Sequence, residues 1–428
     1  MKGEAVAGNW GYAGKILRVD LTSGGITEIP TQDYAEGFLG GRGFAAKAYW
    51  DEVPPEADAF DPGNHLSFMT GPLCGVPGLA GSRWTICGKS PSTAPQYFSN
   101  CNLGGSWGAH LKFAGFDGVV VGGKSERPVY IFISDGAARL EDASHLWGRS
   151  AVETREGIKS ERGSRVRVAA IGPAGENLVN FAIVLADEDS SGSSGFGAVM
   201  GSKNLKAVAV SGNGKVAVAR EDEVRRLAGY ARGQAGETPI MLRGMTPGPK
   251  MKRVTCYGCI RGCTRATAET RDGVRSKYVC ESAQFYQALA KRYYGEWGFD
   301  NIEVPVYANR FCDGYGIDTN CITSMLVWLA RCQGAGILGD ENTGLPLSKL
   351  GSLEFIEALV RKISLREGFG DILARGIFSA AEEVGGGARE MASGYVSKSG
   401  PMITYDPRMF PAHSLLYAME SRNRCTNG

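Results

Sequence analysis

The sequence predicts an α+β fold, with a β-rich first half followed by a mainly helical second half. Three observations carry this. Short alternating or apolar runs separated by Gly-rich turns fill residues 11 to 212. After about Lys215 the chain changes to long segments with apolar residues at helical spacing. Within the second half lies Cys256-Tyr-Gly-Cys259-Ile-Arg-Gly-Cys263, three cysteines at C-x2-C-x3-C spacing. The 428 residues suffice for two or three domains, and the change of texture divides the chain into 1–212 and 213–428.

In the first half, Ile16–Leu21 and Ile26–Ile29 alternate on either side of the turn Ser23-Gly-Gly25 and read as strands. Further strands are expected at Leu66–Thr70, Arg83–Gly88, Gly118–Val121, Val129–Ser134, Arg167–Ile171, Val179–Leu185 and Ala207–Val210. Gly40–Val53 and Ser150–Glu161 read as helices, and Gly104–Ala114 as a helix opening directly from a Gly pair. Two glycine-rich loops, Ser99–Gly105 and Ser190–Lys203, offer unhindered backbone N–H groups of the kind that cradle phosphate, though such loops also serve simply as turns. The second loop lacks a Rossmann-type surround, so it is not a dinucleotide fingerprint.

In the second half, Glu221–Gln234 reads as a charged helix and Pro239–Pro249 as a link. Helical patterns follow at Glu281–Trp297, Val304–Gly314, Ile322–Gly334, Leu353–Arg366 and Asp371–Val384. In the fourth of these, Leu353, Ile356, Leu359, Val360 and Ile363 form one apolar stripe. The turn Cys312-Asp-Gly-Tyr-Gly-Ile-Asp-Thr-Asn-Cys321 sets Asp313 and Asp318 about a tight Gly turn. Helix capping by Asp318 or Thr319 accounts for it as readily as ligand binding does.

A net charge of +2 gives no reason to expect a nucleic-acid partner. No apolar run approaches a membrane span, and the start lacks the apolar stretch of a secretory signal. Eleven cysteines in such a chain point to a reducing, cytoplasmic compartment in which thiols serve metals. The 61 glycines, about twice the usual ~7% share, point to many tight turns and close backbone approaches. Closely spaced thiolates suit an iron–sulfur cluster or zinc. Zinc usually takes two C-x2-C pairs, or one pair with histidines, and none of the four histidines lies near this stretch; a cubane with a distant fourth ligand is favoured. Just downstream, Glu281 reads either as a proton-transfer group beside a cofactor or as a first-turn helix glutamate.

Together these stretches resemble the tungsten-dependent aldehyde:ferredoxin oxidoreductase family over essentially the whole chain. The segments that carry the resemblance are Gly11–Leu21, Phe38–Lys47, Leu111–Gly118, Ile171–Asn177, Gly197–Ala207 and Tyr405–Arg408. The resemblance implies two sheets around a bis-pterin site holding tungsten or molybdenum, a [4Fe–4S] cluster and a Mg2+ ion. It implies Arg83, Asn102, Gly104, Gly192, Asp313, Ile317 and Asp318 as cofactor contacts, with Asn102 and Ser190 as the Mg2+ ligands. Cys256, Cys259 and Cys263 would be cluster ligands, and Glu281 the catalytic proton acceptor. Cys280 would ligate tungsten only if the chain follows the related benzoyl-CoA reductase branch. The family's Arg-Ala is replaced here by Asp189-Ser190, which keeps a carbonyl ligand but not an arginine contact to phosphate. The implied reaction oxidises a small aldehyde to a carboxylic acid and passes electrons to ferredoxin or another small carrier, in a homodimer or a larger complex. The family's third domain is expected to be largely missing, as in a fragment, a split gene or a decayed copy. An inactive cofactor-binding fragment is the alternative.

Overall fold

A computed structural model describes residues 10–234, 251–260, 265–278 and 303–401, with 411, 414 and 415. Two six-stranded mixed sheets form the first half. One contains β1 (Lys15–Asp20), β2 (Gly25–Pro30), β3 (Leu66–Thr70), β4 (Trp84–Lys89), β5 (Phe98–Leu103) and β6 (Gly118–Gly122), in the order β2-β1-β6-β3-β4-β5. The other contains β7 (Val129–Ser134), β8 (Ala137–Asp142), β9 (Arg167–Ala170), β10 (Val184–Ala186), β11 (Ser190–Gly192) and β12 (Leu205–Ser211), in the order β11-β10-β9-β12-β7-β8. β1 runs parallel to β6, with Ile16 opposite Gly118, and β7 runs parallel to β12. A small sheet follows, β13 (Met251–Arg253), β14 (Ala266–Glu269) and β15 (Arg275–Tyr278).

The two large sheets share one core. Leu17, Phe68, Trp84 and Val119 of the first meet Ile131, Ala169 and Val208 of the second through two helices. These are α3 (Trp107–Phe113), contributing Trp107 and Leu111, and α6 (Phe196–Ser202), contributing Phe196 and Met200. The remaining helices of this half are α1 (Gln32–Phe38), α2 (Arg42–Glu52), α4 (Ala151–Arg162) and α5 (Pro173–Glu176). Helix α4 opens on a complete capping box, with Ser150 and Glu153 each satisfying the other's backbone N–H.

After α7 (Glu221–Gly233), the second half is built from α8 (Glu303–Tyr315), α9 (Thr319–Gly334), α10 (Asp340–Thr343), α11 (Leu353–Leu365), α12 (Phe369–Ala374), α13 (Ile377–Val384) and α14 (Ala388–Ala392). Its core includes the Leu353–Ile363 stripe and extends onto Ala174, Val179, Phe181, Ala182 and Ala198 of the first half. The halves are therefore packed together rather than strung apart.

Three expectations need correction. Val179–Leu185 is strand only from Val184, because Val179, Phe181 and Ala182 pack into the helical core. Asp371–Val384 is two helices, broken at Gly376, whose φ of 99° is outside helical space. The Ser99–Gly105 loop is mostly strand: Phe98–Leu103 pairs along its length with β4, and α3 begins only after Ser106. The expected helix Glu281–Trp297 and the link Pro239–Pro249 lie outside the described residues.

Two stability measurements follow. A Cβ on Gly201 would run into the carbonyl of Gly175 at the α5–α6 contact. Gly201→Ala is therefore expected to destabilise the protein by about 1–3 kcal/mol, seen as an earlier thermal melt. His110 on α3 is half-buried with Nδ1 unpartnered, and burial together with the Arg167 charge pushes its pKa down from 6.5 to about 4. The unfolded chain thus takes up this proton first, and stability is lost as pH falls from 6.5 towards 4. His110→Gln is expected to flatten that part of the stability profile, read from melts across the same pH range.

Candidate functional site

The site lies where the edges of the two large sheets meet. β5 is the last strand of one and β11 the last of the other, and the close approach of Gly192 to Cys101 and Leu103 brings them together. A Cβ on Gly192 would lie 2.8 Å from Cys101 Sγ and 2.9 Å from Leu103 Cδ1, so only glycine fits this crossing. Gly104 N–H donates to Ser190 Oγ at 2.7 Å, joining the end of β5 to the start of β11. Trp84 Nε1 donates to Gly104 O at 3.0 Å and fixes the other side of the same peptide plane.

The cysteine loop docks on this junction. Gly105 N–H donates to Cys256 Sγ at 3.2 Å, and Tyr257 N–H donates back to Gly105 O at 3.1 Å. A Cβ on Gly104 would meet Cys256 Sγ at 2.6 Å. On its far side the loop is held by Gly78 N–H to Gly258 O at 2.8 Å and by Ser82 Oγ–H to Tyr257 O. Gly258, at φ 64°, packs on Pro77 with no room for a side chain. Cys256 and Cys259 are partly buried, and Cys259 N–H donates to Cys256 O. An N–H aimed at the Cys256 sulfur is compatible with a thiolate-ligand role there. Cys263, Cys280 and Glu281 lie outside the described residues.

The β10–β11 turn is strained and heavily charged. Glu188 and Asp189 both take positive φ, 55° and 53°. Glu188 accepts from Ser106 N–H at 3.0 Å and Oγ–H at 2.7 Å, closing the turn over the start of α3. Asp189 pairs with Arg155 Nη2 at 2.6 Å. Burial opposes its ionisation, but the Arg155 guanidinium, helped by Lys277 and Arg265, holds it below the usual carboxylate range.

The Asp313–Asp318 turn faces the same seam. Ile183 N–H donates to Gly316 O at 2.8 Å, and Ile317 bridges Ala182. Gly316 has φ 78°, Ile317 is fully buried, and Asp318 caps α9 by accepting from Asn320 N–H at 2.8 Å. Asp313 is buried, with Oδ1 on Lys277 at 2.7 Å and Oδ2 without a hydrogen-bond partner. Burial pushes its pKa up, and Lys277 works against that rise. Between this turn and the sheets opens a small recess. Its hydroxyl-rich lining includes Ser90, Ser92, Ser99, Ser194, Asp318 and Ser399.

The fold thus brings Gly104, Ser190 and Cys256 into contact and sets Gly192 beside them. Asn102 is part-buried on β5 opposite Thr85, two residues before Gly104. Arg83 is exposed at the entrance to β4. Asp313, Ile317 and Asp318 approach from the helical side. Sequence reasoning passed over Arg155, Glu188 and Lys277; each is an ordinary-looking charge in its local pattern, and only the fold brings it to the seam, burying Arg155 and Lys277. No helix among the described residues is long and apolar enough to cross a membrane.

Comparison with known proteins places this geometry in context. Family models described as the aldehyde ferredoxin oxidoreductase N-terminal domain and its domains 2 and 3 match residues 16–212 and 231–427. The tungsten-containing aldehyde ferredoxin oxidoreductase of Pyrococcus abyssi is 34% identical, over 97% of this chain and 74% of its own. An aliphatic sulfonate oxidoreductase, WOR-like subunit, of Pyrococcus furiosus is 28% identical, over 88% of this chain and 68% of its own. Among solved structures, a chain of the active-site complex BamBC of benzoyl coenzyme A reductase, bound to 1,5-dienoyl-CoA, has TM-score 0.83 and 29% identity. That match covers 97% of this chain and 70% of the other. The two family models together span nearly the whole sequence, and the chain belongs to the aldehyde ferredoxin oxidoreductase family of oxidoreductases.

Proposed function

We propose that this protein is a tungstopterin iron–sulfur oxidoreductase that oxidises an aldehyde to a carboxylic acid and delivers the electrons to ferredoxin or a similar small carrier. The observation that supports it most directly is the seating of Cys256 Sγ against Gly104 and Gly105, with Ser190 on the same peptide. A cluster ligand and a glycine cradle for a cofactor are thereby in contact through one backbone segment.

The residues present fit the groups. Cys256, Cys259 and Cys263 would hold three corners of a [4Fe–4S] cluster. Arg83, Asn102, Gly104 and Gly192 would take one face of a bis-pterin site, and Asp313, Ile317 and Asp318 the other. The orphaned Asp313 Oδ2 and the hydroxyl-lined recess at Asp318 are suited to a polar heterocycle. Asn102 and Ser190 would provide oxygen ligands for Mg2+. When bound, the tungsten (or molybdenum) pterin supplies Lewis-acid and two-electron redox chemistry. Glu281 would accept the substrate proton. Lys252 and Arg253, exposed beside the cysteine loop, would steer an acidic electron carrier. The cytoplasmic location expected from the sequence remains part of this reading. The homodimer or larger complex expected from the sequence remains part of this reading. A second reading, reduction of an aromatic thioester, is favoured by the likeness to the BamBC chain and would place Cys280 on the metal.

Anaerobic purification with elemental analysis tests the proposal. About four Fe and one W or Mo per chain are expected, the count for one cubane and one mononuclear site. Zinc in place of iron would sink it, and iron without tungsten would leave a cluster protein with no aldehyde activity. Gly104→Ala, which forces Cys256 Sγ aside, is expected to lower iron content severalfold while leaving the far-ultraviolet circular dichroism unchanged.

A further inference from the structure

Lys277 extends from β15, an edge strand of the small sheet, into the seam between the two halves. Its side chain is only 7% exposed. Nζ donates to Asp313 Oδ1 at 2.7 Å on α8 and to Ser191 Oγ at 3.2 Å on β11. Its backbone is anchored as well, since Asn309 Nδ2 donates to Lys277 O at 3.1 Å. One ammonium group thus ties the helix that carries the Asp313 turn to the strand that carries Ser190 and Gly192. Across the seam, Arg155 from α4 pairs with Asp189, so charges alternate through Arg155, Asp189, Lys277 and Asp313.

The geometry leaves Asp313 half used. Oδ1 is taken by Lys277, and among the described residues Oδ2 has no partner, in a side chain that is only 3% exposed. A native protein keeps an unmet buried acceptor at a cost, and such an atom marks a place where a ligand or water completes the bonding. A buried ion pair adds little net stability over an apolar pair, so stability does not account for this lysine. Its effect is chemical. An ionised carboxylate only accepts hydrogen bonds, whereas a protonated one also donates. The charged groups bearing on Asp313 are Lys277 on β15, Arg155 on α4, and Asp189 on the β10–β11 turn; Asp318 lies five residues ahead at the start of α9. Among the described residues Lys277 donates a hydrogen bond to it, opposing the rise that burial imposes.

We propose that Lys277 is a positioning residue that holds Asp313 as an oriented acceptor and locks it to β11, so that Oδ2 receives the N–H donors of an amino-heterocycle seated between the two halves. This rests on the bis-pterin reading above and names the protein group that orients one of its contacts. Lys277 touches neither substrate nor reacting atoms, and acts through Asp313.

The test compares wild type, Lys277→Met, Lys277→Arg and the double variant Lys277→Met/Asp313→Asn, each purified anaerobically as the full chain. Tungsten, pterin and iron per chain are measured together with the thermal melt. Lys277→Met is expected to lose at least tenfold in tungsten and pterin while keeping its iron, and Lys277→Arg to recover most of both. The double variant leaves no uncompensated carboxylate; it is expected to fold and still lack tungsten. Wild-type tungsten in either Met variant overturns the proposal, as does a folded Lys277→Arg that fails to recover it. Equal loss of iron and tungsten from a folded Lys277→Met also overturns it, since that marks a general structural role. Infrared difference spectra against Asp313→Asn give a readout independent of cofactor. Asp313 is expected as a carboxylate in wild type and as a neutral acid in Lys277→Met; a carboxylate in both defeats the positioning role. Absence of tungsten from wild type, with the infrared result as expected, defeats the bis-pterin reading and the heterocycle with it, and leaves the Lys277–Asp313 assignment standing.

Discussion

Everything at the site depends on how closely backbone can approach backbone at Gly104 and Gly105. Cys256 Sγ lies where a side chain on residue 104 would be, and Glu188 Oε2 lies 2.6 Å from where one on residue 105 would be. Two successive residues without Cβ atoms allow the cysteine loop and the β10–β11 turn to close on the end of β5 from opposite sides. The N–H groups of 104 and 105 are then spent on Ser190 Oγ and Cys256 Sγ, so neither close approach leaves a buried donor unmet. Around this point the protein accepts strain: Glu188 and Asp189 both sit in left-handed space, held there by Ser106 and Arg155.

The larger architecture serves that junction. The two sheets bury their inner faces on α3 and α6, which fixes the distance between β5 and β11 at their edges. The helical half packs against residues 174 to 182, which carries Asp313 to Asp318 to the same seam. Buried charges then join the parts that apolar packing cannot register to one another. Lys277 and Arg155 are directional where the core is not, and a charge pair in a low-dielectric seam tolerates little displacement.

Local pattern made much of this legible. The alternation of Ile16–Leu21, the stripe of Leu353–Ile363 and the cap at Asp318 each sit close to where pattern and capping chemistry place them, because each is decided by near neighbours. The C-x2-C spacing likewise suggests thiolate ligation before any fold is known. What could not be read depends on distant contacts. Ser99–Leu103 looks like a polar loop until β4 lies alongside it and Cys101 and Leu103 turn into the core. Lys277 is an unremarkable strand lysine until α8 and β11 close over it. Gly376 splits a continuous apolar pattern because positive φ is a backbone fact that hydropathy does not carry.

The separation of the cradle from its ligands along the chain also has a consequence for biogenesis. Gly105 and Cys256 are 151 residues apart, and every strand of the two large sheets precedes the cysteine loop. At about 5–20 residues per second of synthesis, the 45 residues from Ser211 to Cys256 give the completed sheets roughly 2–9 seconds to close before Cys256 emerges from the ribosome. The receiving surface is thus made ahead of the reactive thiols, which are born beside a folded acceptor and spend little time exposed to stray metal or oxidant.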